Sequence, residues 1–147
     1  MSVNILSNVT SKNLSVKKDN LVDTNLLIRF LTADDPQKAL RVKQLLSSHK
    51  EFYIPDLVFA EIVWVLQTFY GVDRSEIYAK LKSLLSFDAI ICNKKLLLAA
   101  LENYQEYSFL SFGDAYLISL AQLRKSHIIY SYDQSFDKVK RIKRIEP

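Results

Sequence analysis

The chain has 147 residues, enough for one domain with a sizeable buried core, and its 49% hydrophobic and 24% charged content excludes a disordered chain. Two glycines and three prolines argue against a turn-dense β fold and against a phosphate-cradling glycine loop. The single Cys92 excludes an internal disulfide or a cysteine zinc cluster, and the net charge of +4 falls wholly in the second half, because residues 1–73 carry eight basic and eight acidic groups.

Residues 1–18 are rich in Ser and Asn and read as a poorly ordered N-terminal extension ahead of a domain over residues 19–147. They lack the basic and continuous apolar regions of a secretory signal. The most apolar window, Ile54 to Tyr70, is interrupted by Asp56 and Glu61 and is a buried helix, not a membrane span. A cytoplasmic protein with no membrane contact is expected.

The first ordered feature is a short apolar run, Leu21-Val22, that stops at Asp23. Leu26, Leu27, Phe30 and Leu31 then repeat at helical spacing, predicting a helix over Thr24 to Leu31. Asp34-Asp35-Pro36 ends it and starts the next helix, with Ala39, Val42, Leu45 and Leu46 inward and Lys38, Arg41 and Lys43 outward. Phe52-Tyr53-Ile54 reads as a strand ended by Pro55. Asp56 is expected to cap the helix that follows, which packs through Val58, Ile62, Val65, Leu66 and Phe69. Gly71 ends that helix and another runs to about Leu85. Ala89 to Ile91 is a strand, Asn93 to about Tyr107 a helix, and Ser111 or Phe112 to Leu123 a further helix. His127 to Tyr130 forms a strand, and Val139 to Ile145 alternates loosely as a last basic strand. Strands alternating with helices predict an α/β three-layer sandwich, a mostly parallel sheet of four to five strands flanked by helices.

Four acids stand at the edges of these elements: Asp23, Glu61, Asp114 and Asp133. Each has a local explanation. Asp23 can cap a helix, Glu61 can lie on an exposed stripe with Leu57, Trp64 and Thr68, Asp114 suits a helix first turn, and Asp133 suits a turn. Taken together they are expected to meet in one pocket. Carboxylates crowded there stay ionised only around a shared cation, and an oxygen-only ligand set suits Mg²⁺ or Mn²⁺. One or two such ions can orient a phosphodiester and activate water. Thr24, Asn25 and Ser131 are neutral groups beside these acids, suited to fix a carboxylate. His49 and His127 have no metal-type spacing.

The string from Val22 to Leu31 (V-D-T-N-L-L-I-R-F-L), followed by Asp34-Asp35-Pro36, resembles the opening of PIN-domain proteins, in particular the VapC toxins of bacterial type II toxin–antitoxin pairs. Ile54 to Leu66, Ser111 to Ala115, and Tyr130 to Phe136 are similar to the family's three later blocks, in order and spacing, so that the resemblance runs from about Asp19 to the C-terminus. It implies metal-binding and catalytic roles for Asp23, Glu61, Asp114 and Asp133, with Ser131 as the hydroxyl two places before the last acid. It also implies a PIN-like sandwich, a Mg²⁺- or Mn²⁺-dependent endoribonuclease, a homodimer, an RNA substrate and a cognate antitoxin. Two departures are the extension before Asp19, and Gly113 where the family more often has Ala.

Lys138, Lys140, Arg141, Lys143 and Arg144 are the expected RNA-backbone contacts, with a solvated basic edge as the plain alternative. A catalytically idle PIN-like RNA- or protein-binding module is the alternative to the enzyme. A dehalogenase-like phosphatase needs an acid two places after its nucleophile, where this chain has Asn25.

Overall fold

The computed structural model describes residues 20–147, so the extension expected over residues 1–18 lies outside the described residues. In chain order the elements are β1 (Asn20–Leu21), α1 (Thr24–Thr32), α2 (Pro36–Leu46), β2 (Phe52–Tyr53), α3 (Asp56–Thr68) and α4 (Arg74–Leu85), then β3 (Ile90–Ile91), α5 (Lys94–Glu106), α6 (Phe112–Leu123) and β4 (Ile128–Tyr130). A 3₁₀ turn over Gln134–Lys138 and β5 (Lys143–Ile145) complete the order. The architecture is the expected α/β type, with parallel strands and six flanking helices among the described residues.

The strands divide as three plus two. β2 lies between β1 and β3, with Asn20 opposite Phe52 and Phe52 opposite Ile90, while β4 pairs with β5 through Ile128 opposite Lys143. All pairings are parallel, but β1 and β4 share no ladder. Strands of two or three residues make few ladder bonds, so helix packing carries most of the stability of this fold. The expected last strand over Val139 to Ile145 is shorter than predicted. Asp133 caps a 3₁₀ turn that buries Phe136, and only Lys143–Ile145 pairs with β4.

Most of the apolar stripes read from the sequence meet in the larger of two core clusters. Leu27, Ile54, Ile62, Leu66, Ile77, Leu81, Ile90 and Leu97 are all fully buried. Each such side chain contributes about 1.5–3 kcal/mol of transfer free energy. A second cluster of Leu110, Ile118, Ala121, Ile129, Phe136 and Val139 sits beneath the β4–β5 pair. Two core clusters and two sheets thus follow the same division.

Polar ties lock the helices together. Lys80 Nζ donates to the Leu31 carbonyl at 2.7 Å, placing a cation at the negative end of α1. The Arg74 guanidinium donates to the carbonyls of Tyr104 (2.6 Å) and Leu110 (2.9 Å) and lies 3.8 Å from the centre of the Tyr104 ring. It holds the start of α4 against the α5–α6 connection. Tyr104 is fully buried and its hydroxyl has no hydrogen-bond partner among the described residues. Removing an unpaired buried hydroxyl relieves a desolvation penalty. Tyr104→Phe is therefore expected to be neutral or to raise stability by up to about 1 kcal/mol in urea denaturation.

Asp56 departs from its expected role. Pro55 occupies the N-cap position of α3 with no side-chain cap, and Asp56 lies one residue inside the helix. Its carboxylate instead accepts from the Tyr116 hydroxyl at 2.6 Å, joining the first turn of α3 to α6. That bond, with burial, pushes the Tyr116 hydroxyl up to about 12. Cys92, half-buried, has its thiol pushed up to about 11 by burial and stays protonated and inert at neutral pH. No helix among the described residues is long and apolar enough to cross a membrane.

Candidate active site

Asp23 follows β1 and is the N-cap of α1. Its backbone is extended and its Oδ2 accepts from the Asn25 amide at 3.3 Å. The carboxylate is thus fixed at the positive end of a helix whose opposite end Lys80 neutralises. Thr24, one residue on, is buried and turns its hydroxyl toward α3, donating to Glu61 Oε2 at 2.5 Å. Glu61 lies on the exposed side of α3, on the stripe with Leu57 and Trp64, while Ile62 and Val63 beside it are buried. The wet face that the sequence offered as a plain explanation is real. That face also opens onto Asp23.

The result is a cleft of about 470 Å³ lined by Asp23, Thr24, Asn25, Glu61, Tyr70 and the apolar Ile28, Val65 and Phe69. Two carboxylates from different elements and three neutral polar side chains share it, and no basic residue among the described residues lines it. All the polar side-chain donors there are oxygen or amide groups, a set that fits a hard divalent cation. Glu61 has one oxygen oriented by Thr24, and its second accepts no hydrogen bond among the described residues.

Asp114 and Asp133 do not line this cleft. Asp114 is the third residue of α6 and closes a capping box, its Oδ2 accepting from the Ser111 amide (3.2 Å) and hydroxyl (2.6 Å). The Asp56–Tyr116 bond ties α6, and with it Asp114, to α3. Asp133 caps the 3₁₀ turn by accepting from the Ser135 amide at 2.8 Å, which holds its carboxyl below the usual carboxylate range. Ser131 accepts from the Asp133 backbone amide at 3.0 Å, not from its carboxylate, and so shapes the chain between β4 and the acid. Among the described residues no three His, Cys, Asp or Glu side chains stand close enough to hold a metal together. Asp23 and Asp133 each follow a strand, but the two strands belong to different sheets.

Gly113 adds no looseness that its neighbours require. A methyl group there meets only the Ser111 hydroxyl at an ordinary 3.7 Å. Gly113→Ala is expected to stabilise the protein by about 0.5 kcal/mol through helix propensity, read by thermal or urea denaturation.

The PIN domain family model matches residues 21–142. The chain belongs to the PIN-domain family. A comparison with curated proteins found no match. PIN domains are a nuclease-type family that typically uses divalent metal ions, and the acid cleft of this PIN domain lies within the matched span.

Of the basic residues expected to meet RNA, Arg144 is the one with a defined structural task. Its guanidinium pairs with Asp137 and Glu146 (both 3.0 Å) and donates to the Ser131 carbonyl at 2.9 Å. It joins β5 to the end of β4 with only 11% of its side chain exposed. Lys138 lies 5.5 Å from the centre of the Phe109 ring. Lys140, Arg141 and Lys143 are exposed, and none of the five lines the acid cleft. Sequence reading missed Tyr70 and Phe69 as cleft walls. Phe69 was expected on the packing face of α3, but at the C-terminal end of that helix it is 70% exposed, and with Tyr70 it forms an aromatic pair just before Gly71.

Proposed function

We propose that this PIN domain is a Mg²⁺- or Mn²⁺-dependent endoribonuclease, the cytoplasmic toxin of a toxin–antitoxin pair. The observation that carries this reading is the convergence of Asp23, the N-cap of α1, and Glu61 of α3 on one cleft that no basic residue lines among the described residues. When bound there, one or two divalent ions supply Lewis-acid polarisation of a phosphodiester and activation of water. The chain's own residues do the positioning. The N-terminus of α1 holds the Asp23 carboxylate, Thr24 orients Glu61, and Asn25 offers an amide to the cleft rim. Phe69, Val65 and Ile28 give the cleft an apolar wall. Asp114 and Asp133 would complete the proposed ligand set on sequence grounds, from the capping positions they hold.

A homodimer and a cognate antitoxin belong to the same proposal. Leu57, Trp64 and Phe69 are more than half exposed along α3, and Trp64 and Phe69 meet edge-to-face at 5.3 Å. An apolar strip of this kind beside a catalytic cleft favours a protein partner. The second reading, a catalytically idle RNA- or protein-binding module, is favoured by the placement of Asp114 and Asp133 on their own caps. Incubation of the purified protein with labelled RNA separates the two. Cleavage in Mg²⁺ or Mn²⁺ that stops in EDTA is the expected result; RNA binding without cleavage in either metal selects the idle module.

A further inference from the structure

A second cleft, of about 560 Å³, opens between α1 and α2 and is lined by Asp23, Asn25, Leu26, Arg29, Lys38, Arg41 and Val42. It shares Asp23 and Asn25 with the acid cleft, so the two adjoin at the strand-to-helix turn. Its character is opposite. Three cations line it against one carboxylate, over the apolar Leu26 and Val42.

These cations are available. The Arg41 guanidinium forms no ion pair among the described residues and contacts only the Gln37 carbonyl of its own helix, at 3.4 Å. Lys38 meets Asp35 at 3.2 Å with more than half its side chain exposed. Arg29 pairs with Asp34, whose carboxylate also accepts from the Tyr70 hydroxyl. Exposed pairs of this kind contribute little stability, so exchanging the carboxylate for a phosphate is not opposed. Lys38 and Arg41 are three residues apart, on one face of α2.

We propose that the α1–α2 cleft holds the phosphodiester backbone of single-stranded RNA on one side of the bond presented to Asp23 and Glu61. Arg41, Lys38 and Arg29 contact successive phosphates, and Leu26 and Val42 receive the ribose or base. A concave, positively charged groove suits a single strand that bends into it, whereas a duplex presents a rigid convex surface. This inference rests on the nuclease reading and names where its substrate lies. It also moves the main backbone contact from the C-terminal basic residues to α1 and α2.

The test is fluorescence anisotropy of a labelled single-stranded RNA in EDTA, over a range of KCl, with cleavage in Mg²⁺ measured separately. The double variant Lys38→Ala/Arg41→Ala is expected to bind at least about tenfold more weakly than wild type, and its salt slope to flatten by about 1.4, or about 0.7 per lost contact. Lys38→Arg/Arg41→Lys, which keeps both charges on the exposed face of α2, is expected to keep the slope. Lys140→Ala/Lys143→Ala is expected to change the slope less than the α2 variant does. Unchanged affinity and slope in the α2 double variant would overturn the proposal, as would wild-type protein that binds an acidic peptide but no RNA. If wild type cleaves RNA while the α2 variant binds like wild type, only the groove assignment fails. If wild type binds RNA through α2 but never cleaves, the groove stands and the nuclease reading fails.

Discussion

Replacing Asp23 with Asn is expected to lower RNA cleavage at least about a hundredfold while leaving the fold intact. The reason is that Asp23 has two separable tasks. As the N-cap of α1 it accepts from the Asn25 amide, and Asn caps helices about as well as Asp does. As a cleft carboxylate it brings a charge that Asn lacks. Loss of a residue that merely supports a metal ligand costs about 10–100-fold, so loss of a ligand itself lies at or above the top of that range. Glu61→Gln follows the same logic, since the amide oxygen still accepts from Thr24 at little change in shape. The measurement is the cleavage rate of a labelled RNA in saturating Mg²⁺, with circular dichroism and melting temperature as the check on folding. Wild-type rates in either folded variant would remove that residue from the site.

The largest expected effect on stability lies elsewhere, at Arg74. Its guanidinium satisfies two backbone carbonyls, of Tyr104 and Leu110, and stacks on the buried Tyr104 ring. Hydrogen bonds from a charged donor contribute roughly 1.5–3 kcal/mol each, and a desolvated cation–π contact about 2 kcal/mol. These terms overlap, so Arg74→Ala is expected to cost about 3–5 kcal/mol, a large share of the roughly 5–15 kcal/mol by which domains are stable. For a chain of this size that corresponds to a fall of roughly 10 °C in melting temperature. Arg74→Lys is expected to recover less than half, because one ammonium cannot reach two carbonyls and stack at once. A loss below about 1 kcal/mol in urea denaturation would show that α4 is held by its apolar face alone.

Local chemistry made much of this structure legible in the sequence. Asp35-Pro36 starts α2 as its spacing predicts, with Asp35 accepting from the Lys38 amide at 3.1 Å, and Ser111 caps α6. Such signals act within four residues and need nothing from the rest of the chain. Asp56 shows their limit. The acid is one residue past the cap, and a tyrosine sixty residues later decides where it points. The single sheet of four to five strands depended on non-local pairing of very short strands, and the observed pairing is three plus two.

The candidate site follows the same rule. Asp23 and Glu61 were legible because a strand end and an apolar helix set them apart, and α1 packing on α3 brings them to one cleft. Where Asp114 and Asp133 stand relative to that cleft depends on the packing of α6 and of the chain after β4, which the helical and strand periods do not encode. The basic wall of Arg29, Lys38 and Arg41 was invisible for a related reason. In sequence it is three scattered charges on outward faces, and only the α1–α2 packing makes them one surface. The C-terminal run drew attention by its density, yet its best-ordered member, Arg144, is a tie between β5 and β4.

Whether Asp23 and Glu61 share a divalent cation is tested most directly by isothermal titration of Mn²⁺ into the RNA-free protein. Wild type is expected to bind one or two ions saturably, and Asp23→Asn and Glu61→Gln to lose that binding while remaining folded. Binding of equal stoichiometry and affinity in all three proteins would contradict a shared cation.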